Sequence, residues 1–317
     1  RPTMATYTSA TAIGEREDLS DVIYRIDPDE TPLFSNAQKE TTRGIITEWQ
    51  VQELASAADD NHASEGADFS YTNPSATTRL TNVHQIAVQA ASVSNTLDTV
   101  DKAGRDKETA YVKVLKGIEQ RRDINKSLYK NEAKSTSEPR KAAKLITWIT
   151  NVSAPSDMAA ATGDGSDVAD LTGTAEALTL AKIDAAMLAA YSDGGSPSML
   201  LMSPTNKQNF SGLSSGSVST NQITYTAPRE AAIIGSVSLY LSDFGELAVT
   251  VDRTCPNSEM YLIDTDYVCI GHLPGRMFSV SDVAPVGDAT RFAIVSEYTL
   301  IVKAPKSHAA VIGLNGS

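Results

Sequence analysis

The chain has 317 residues, of which 41% are hydrophobic and 21% charged, and its formal net charge is −12. This length and composition are typical of a globular protein with one large or two smaller domains. The acidic excess disfavours a protein that grips nucleic acid, because such affinity comes mainly from Lys and Arg neutralising phosphates. No apolar run approaches the roughly 18 residues of a membrane span, so we expect no membrane partner.

Residues 1–43 are predicted to form an extended arm that contains a short helix. In "REDLSDVIYRIDPDETPLFS", apolar residues including Leu19 and Ile23 recur at helical spacing before Pro32 stops any helix. The Thr-rich segment before it shows no periodicity. Such an arm can bury little against itself, so we expect it to lie on another surface, with Leu19, Ile23 and Phe34 as candidate contacts between subunits.

Residues 44–92 are predicted to form a long two-stranded ribbon. The stretches "GIITEWQVQEL" and "TTRLTNVHQIAVQAASVS" alternate apolar and polar residues, and the segment between them is small and polar. A lone hairpin is marginal in water and needs a surface to pair with. We expect Ile46 and Trp49 at the base of the ribbon, and Arg79 as its one long cation, to contact another subunit.

The strongest helical pattern lies within residues 96–133. Apolar residues from Val100 to Leu128, Val114 among them, return to one face at about 100° per residue, and no Pro occurs from Asp98 to Glu138. This predicts a single long helix that serves as a spine. The following "LITWITNV" is typical of a buried strand.

The remaining patterns predict an α+β fold. "LAKIDAAMLAAYSDGG" indicates a helix ended by Gly194 and Gly195, and "SMLLMSP" a strand closed by Pro204. Short apolar strands recur from residue 223 onward. Near the end, "SEYTLIVKAPKSHAAVIGL" indicates a strand, a turn and a short closing element. Helices and strands in this segregated order favour the α+β class.

Chemistry-bearing motifs are weak. "GLSSG" fits the G-x-S-x-G pattern with Ser214 as a serine esterase nucleophile, but that motif needs a strand-to-helix elbow, and a Ser/Gly-rich loop matches it easily. Cys255 and Cys269 do not make a disulfide framework in a chain of this length, so we expect two free thiols. No zinc or phosphate-binding motif occurs, so we expect no metal, no cofactor and no catalytic residue.

The order of these parts resembles that of the major capsid proteins of tailed bacteriophages, which share the Hong Kong phage-type fold with herpesvirus capsid floors and encapsulins. The resemblance covers nearly the whole chain. It rests on the number and order of several non-catalytic stretches: "REDLSDVIYRIDPDETPLFS", "AGRDKETAYVKVLKGIEQRRDIN", "LAAYSDGGSPSMLLMSP", "SDFGELAV" and "VSEYTLIVKAPKSHAAVIGL".

The resemblance implies a domain layout for this chain. Residues 1–43 would be the N-terminal arm and 44–92 the extended β-hairpin loop. A peripheral domain with the spine helix would comprise 93–153 and 272–317, and an axial domain would comprise 154–271. The C-terminal strand "EYTLIVKA" would return to close the sheet of the peripheral domain.

The function implied is structural: self-assembly into the icosahedral shell around a phage double-stranded DNA genome, without enzymatic activity. The partners implied are other copies of the chain in hexamers and pentamers, a separate scaffolding protein and a portal. The resemblance allows a cement protein as a further partner without requiring one. The packaged DNA would lie nearby without sequence-specific binding. The protein would be a virion component assembled in the host bacterial cytoplasm. The alternatives are an encapsulin-type shell around protein cargo and, more distantly, the esterase that uses Ser214.

Overall fold

The structure, a computed structural model, describes residues 29–66, 68, 71–101, 106–216 and 239–316. Its helices are α1 (Pro32–Asn36), α2 (Asn95–Thr99), α3 (Glu108–Leu128), α4 (Leu180–Ser192) and α5 (Pro204–Gly216). Its strands are β1 (Gln38–Thr41), β2 (Ile46–Val51), β3 (Thr78–Val83), β4 (Gln85–Ser94), β5 (Asn151–Ser153), β6 (Met199–Met202), β7 (Leu239–Ser242), β8 (Gly245–Val251), β9 (Glu259–Ile263), β10 (Val268–His272), β11 (Ser279–Val283), β12 (Ala289–Val302) and β13 (Ala309–Ile312). Short 3₁₀ helices span Leu145–Trp148, Thr265–Tyr267 and Pro305–Ser307.

Strand β12 is the centre of a five-stranded sheet. Strand β4 pairs with one of its edges and β10 and β11 with the other, all antiparallel, and β1 extends the sheet in parallel with β10. Helix α3 packs on β4 and β12. Every residue from Ser296 to Val302 is buried. The predicted C-terminal strand is therefore confirmed as an interior strand beside the longest described helix.

A second, six-stranded sheet has the order β5-β13-β9-β6-β8-β7. Leu200, Met202 and Leu262 pack towards α4 and α5, whereas Leu201 and Ile263 face the core that contains the end of α3. Strands covered on both faces read as continuous apolar runs, which explains "SMLLMSP" and "AAVIGL". The α+β class is confirmed.

Sheet membership does not follow the expected domain boundaries everywhere. Strand β13, within 272–317, belongs to the six-stranded sheet with β6 and β9. Strand β1, within the arm 1–43, and β4, within the loop 44–92, belong to the five-stranded sheet. The free ribbon is thus limited to β2 and β3, and the arm enters the core before residue 43.

The prediction of one helix across 96–133 is wrong. Val100 is already extended at the end of α2, and the Asp98 carboxylate accepts a hydrogen bond at 3.0 Å from the Thr109 N–H in the first turn of α3. Val114, expected in the buried stripe, is 61% exposed. Gln120 is buried instead, because its amide donates to the carbonyls of Ala87 and Ile294 at 2.9 and 3.2 Å.

The stretch "LITWITNV" is buried from Leu145 to Ile149 and half-buried after that, and most of it is not a strand. Leu145–Trp148 forms a 3₁₀ helix, and only Asn151–Ser153 is extended in a sheet. The Thr147 hydroxyl donates to the Lys144 carbonyl at 2.7 Å. Such local side-chain bonds compete with sheet pairing, which accounts for the difference.

The predicted glycine stop after α4 is confirmed. Helix α4 ends at Ser192; Gly194, two residues later, has a φ of +87°, and the Gly195 N–H donates to the Ala190 carbonyl at 2.8 Å. A Cβ on Gly195 would lie 2.5 Å from the Ser307 backbone, so glycine is required there. Cys255 and Cys269 are free and buried. Within the described part of the chain, no helix has both the length and the apolar character needed to cross a membrane.

Candidate assembly surface

The residues predicted to contact other subunits fall into three settings. Leu19 and Ile23 lie outside the described residues. Phe34 lies in the core of its own chain. Ile46, Trp49 and Arg79 lie on the ribbon formed by β2 and β3. Contacts between subunits stay a prediction for all six residues.

Phe34 is 7% exposed and is fixed by several contacts within the chain. Its ring meets that of Phe278 edge-on, with centroids 6.1 Å apart, and the Lys39 ammonium lies 4.0 Å from the ring centre. Lys39 also donates to the carbonyls of Phe34 and Ala37. Burial foremost, and the nearby Arg121, lower the pKa of Lys39 to about 8. Phe34 therefore offers little free surface to a neighbour.

The ribbon has an inner and an outer face. Along β2 the side chains alternate, so that Ile46, Glu48 and Gln50 are exposed while Trp49 and Val51 are half-buried. Ile46 is 48% exposed. Arg79 pairs with Glu48 across the ribbon at 3.4 Å, with both side chains largely in solvent. The outer face thus combines an apolar residue with a solvated ion pair.

Trp49 packs on Trp148 of the same chain. Their ring centroids are 5.2 Å apart, and the planes are tilted by 45°. Trp148 is fully buried in the 3₁₀ helix. The structure thus places one side of the Trp49 ring against its own chain. The sequence could not predict this contact, because the alternation around Trp49 and the apolar run around Trp148 do not show that the two segments meet.

Hydrogen bonds and an ion pair also hold the ribbon against the rest of its own chain. The sequence did not predict these contacts. The buried Asn82 amide donates to the carbonyls of Leu300 and Ala143 at 2.6 and 3.2 Å. Lys134 donates to the Thr81 carbonyl at 2.9 Å. At the outer end, Lys306 pairs with Glu53 at 2.8 Å. The inner face of the ribbon therefore finds a packing surface in its own chain.

Strand β4 presents an exposed apolar row that the predictions did not single out. Its side chains alternate, and Ile86 and Val88 are 47% and 54% exposed. Gln89 lies on the opposite face of β4, where it donates to Asp123 on α3. This is the face that α3 covers. The alternation in "QIAVQAASVS" was the available signal. An apolar row of this kind suits contact with another protein surface.

Ser214 lies in the last turn of α5, which begins at Pro204 directly after β6. The strand-to-helix turn is at Ser203, whose hydroxyl accepts the Asn206 N–H at 3.2 Å. The G-x-S-x-G match therefore lies at the opposite end of the helix from the elbow that esterase chemistry requires. Its backbone position gives no support to the esterase alternative.

Two solved structures with a similar fold come from a phage capsid and from an encapsulin complex. The chain is 13% identical to a chain of the cyanophage A-1(L) capsid asymmetric unit, with a TM-score of 0.68 and coverage of 97% of this chain and 98% of that chain. It is 11% identical to the encapsulin SrpI of Synechococcus elongatus PCC 7942, with a TM-score of 0.57 and coverage of 99% and 98%. At these identities the likeness shows the fold alone, and the expected Hong Kong phage-type fold is confirmed.

Sequence relationships go further than the fold. A segment of 122 residues is 31% identical to the major capsid protein of Escherichia phage Phieco32; it covers 38% of this chain and 35% of that relative, so the match spans about a third of the relative's length. The family model of the SU10 major capsid protein matches residues 3–315. The chain therefore belongs to the SU10 major capsid protein family.

Proposed function

We propose that this chain is the structural subunit of an icosahedral shell that encloses the double-stranded DNA genome of a tailed phage, and that it is a virion component. The observation that carries this proposal is the family match across residues 3–315. The likeness to a phage capsid chain over 97% of the sequence supports it. The role is structural rather than catalytic.

We propose the domain layout in the terms given by the resemblance. The arm is 1–43, the extended loop 44–92, the peripheral domain 93–153 with 272–317, and the axial domain 154–271. The two sheets support a division into two lobes, although β1 and β13 show that the arm and the C-terminus each contribute a strand to a lobe.

The proposed partners are other copies of the chain, arranged as hexamers and pentamers. A separate scaffolding protein and a portal would take part in assembly in the host bacterial cytoplasm, and a cement protein fits the same arrangement. The net charge of −12 supports a wall that does not grip the packaged DNA tightly.

Electron microscopy of the purified protein and of particles from infected cells tests the function. We expect closed shells, and we expect nuclease-treated virions to retain double-stranded DNA inside them. Shells that hold a protein cargo and no nucleic acid would favour the encapsulin alternative, whose fold is equally compatible. A purified protein that never forms shells, alone or with phage proteins, would contradict the proposal.

We propose Ile46 as a contact between subunits. Ile46→Asp is expected to reduce shell yield strongly while leaving the melting temperature of the unassembled subunit nearly unchanged, because the side chain is half in solvent on the outer face of the ribbon. Apolar anchors at interfaces cost about 2 kcal/mol or more when they are lost. Shell yield by sedimentation and melting of the free subunit are the two measurements.

Two variants bracket this experiment. Ile46→Leu keeps an apolar side chain and should assemble normally. Trp49→Ala should lower subunit stability, because Trp49 packs on Trp148 in its own chain. Normal shell yield for Ile46→Asp would show that this position is not in a contact.

A further inference from the structure

His84 lies at the junction between the ribbon and the body of the chain. Strand β3 ends at Val83, which pairs with Ile46 in the ribbon, and β4 begins at Gln85, which pairs with Tyr298 in the five-stranded sheet. A single residue therefore separates two strands that belong to different sheets. His84 therefore lies at one of the two connections between the ribbon and the five-stranded sheet, and residues 42–45 form the other.

The imidazole of His84 is fully buried and ties three segments together. Its Nε2 lies 2.9 Å from the Thr42 hydroxyl, just after β1, and 3.0 Å from the Thr47 hydroxyl on β2. The backbone N–H of His84 donates to the Ile45 carbonyl at 2.8 Å. Its Nδ1 is buried and has no hydrogen-bond partner among the described residues. Because an N–H at Nδ1 would have no acceptor, the neutral ring is best satisfied with its proton on Nε2, beside the two hydroxyls.

Burial is the main effect that opposes a positive charge on the ring, and it lowers the pKa of His84. Among the charged groups nearby, Glu297 on β12 acts against this effect, while Arg140 and, on β10, His272 add to it. Glu297 is already paired with Arg140 at 3.3 Å and with Arg276 at 2.6 Å. An imidazolium here would be a third cation beside one engaged carboxylate.

We propose that His84 is a proton-sensitive lock that holds the ribbon on its own chain at neutral pH and releases it when the ring takes up a proton from solvent. The protonated ring must donate from both nitrogens. Nε2–H can still meet a threonine hydroxyl, but Nδ1–H would be a buried donor without an acceptor. Moving the ribbon away exposes the charged ring to water and removes this cost. The lock is a property of the single chain and does not depend on the proposed shell function.

The two tryptophans provide the measurement. Trp49 on the ribbon and Trp148 in the body are the only tryptophans in the sequence, and their rings lie 5.2 Å apart. We expect the unassembled full-length chain to lose the coupled-tryptophan signal in near-ultraviolet circular dichroism as the pH falls from about 7.5 to about 5, with a midpoint below the ordinary histidine pKa near 6.5. The far-ultraviolet spectrum should stay constant, because only the ribbon moves.

His84→Gln tests the assignment, because its amide can occupy the place of Nε2 between the two hydroxyls without titrating. The signal of this variant should not depend on pH over the same range. His62→Gln removes an exposed imidazole beyond the ribbon and should behave as the wild type does. If the His84→Gln chain fails to fold, hydrogen exchange of the wild type replaces it: protection in β2 and β3 should fall on acidification while protection in β12 does not. A wild-type signal that is constant across this range, or a His84→Gln chain with an unchanged pH response, would overturn the proposal.

Discussion

Asn125→Ala is expected to lower the free energy of unfolding of the subunit by about 3 kcal/mol, because it breaks a buried polar network that includes a carboxylate. Asn125 is fully buried on α3. Its amide donates to the Asp252 carboxylate and to the Thr254 hydroxyl, both at 2.7 Å. Its carbonyl accepts the Phe34 N–H at 2.9 Å. One side chain thus joins α1, α3 and the end of β8.

The size of the effect follows from what remains after the substitution. Asp252 is also fully buried and would keep its bonds from the Tyr129 hydroxyl at 2.8 Å and from Thr254. It would lose one of its donors without gaining access to water, and the Phe34 N–H would lose its acceptor. Buried groups left without partners bear their full desolvation cost, which is larger than the net value of a typical hydrogen bond.

Urea unfolding of the unassembled subunit provides the measurement. Asn151→Ala is the matched control, because the Asn151 amide also donates a hydrogen bond, to the Lys306 carbonyl at 2.8 Å, but from a partly exposed site. We expect its loss to be about 1 kcal/mol or less. Equal losses for the two variants would mean that the network around Asp252 does not stabilise the fold as described.

The sequence pattern was sufficient where burial is purely apolar. The strand that ends at Val302, helix α4 with its glycine stop and the short strand β6 all follow from periodicity and stop signals. These elements bury apolar residues on known faces, so their local sequence carries most of the information. The family resemblance in turn depended on the order of such elements.

Polar burial could not be predicted in the same way. Gln120, Asn125 and His84 are fully buried, yet each looks like a surface residue in the sequence. Their partners come from distant segments: Asn125 and Asp252 are 127 positions apart. The helical pattern places apolar residues on the buried face and polar residues on the exposed face. Because Gln120 and Asn125 are buried in α3, this rule wrongly placed Val114 on the buried face.

The sequence also could not predict what the ribbon packs against. Its alternation correctly predicted two strands, but alternation does not say which surface covers the inner face. That surface is formed by Trp148, Ala143 and Leu300 of the same chain. The outer face of the ribbon, with Ile46, and the apolar row of β4 remain exposed.

His308 is expected to make the fold sensitive to acid. The side chain is fully buried, and its Nδ1 accepts the Asp264 N–H at 3.1 Å. Burial lowers the pKa of His308 to about 4, from an ordinary value of 6.5. The unfolded chain therefore binds a proton here at a higher pH than the folded chain does. The stability that the neutral ring contributes is fully present above pH 6.5 and is lost as the pH falls towards 4.

The depression of the His308 pKa corresponds to about 3 kcal/mol, since one pKa unit is worth about 1.4 kcal/mol. We expect urea unfolding of the free wild-type subunit to lose about this much more stability between pH 7 and pH 4 than His308→Asn loses, because the asparagine carbonyl can replace Nδ1 as acceptor without titrating. The buried Asp264 has a raised pKa and acts in the opposite direction, but it is present in both chains. His62→Asn, which changes an exposed histidine, should follow the wild-type curve. Parallel pH curves for the wild type and His308→Asn would show that His308 is not held neutral by burial.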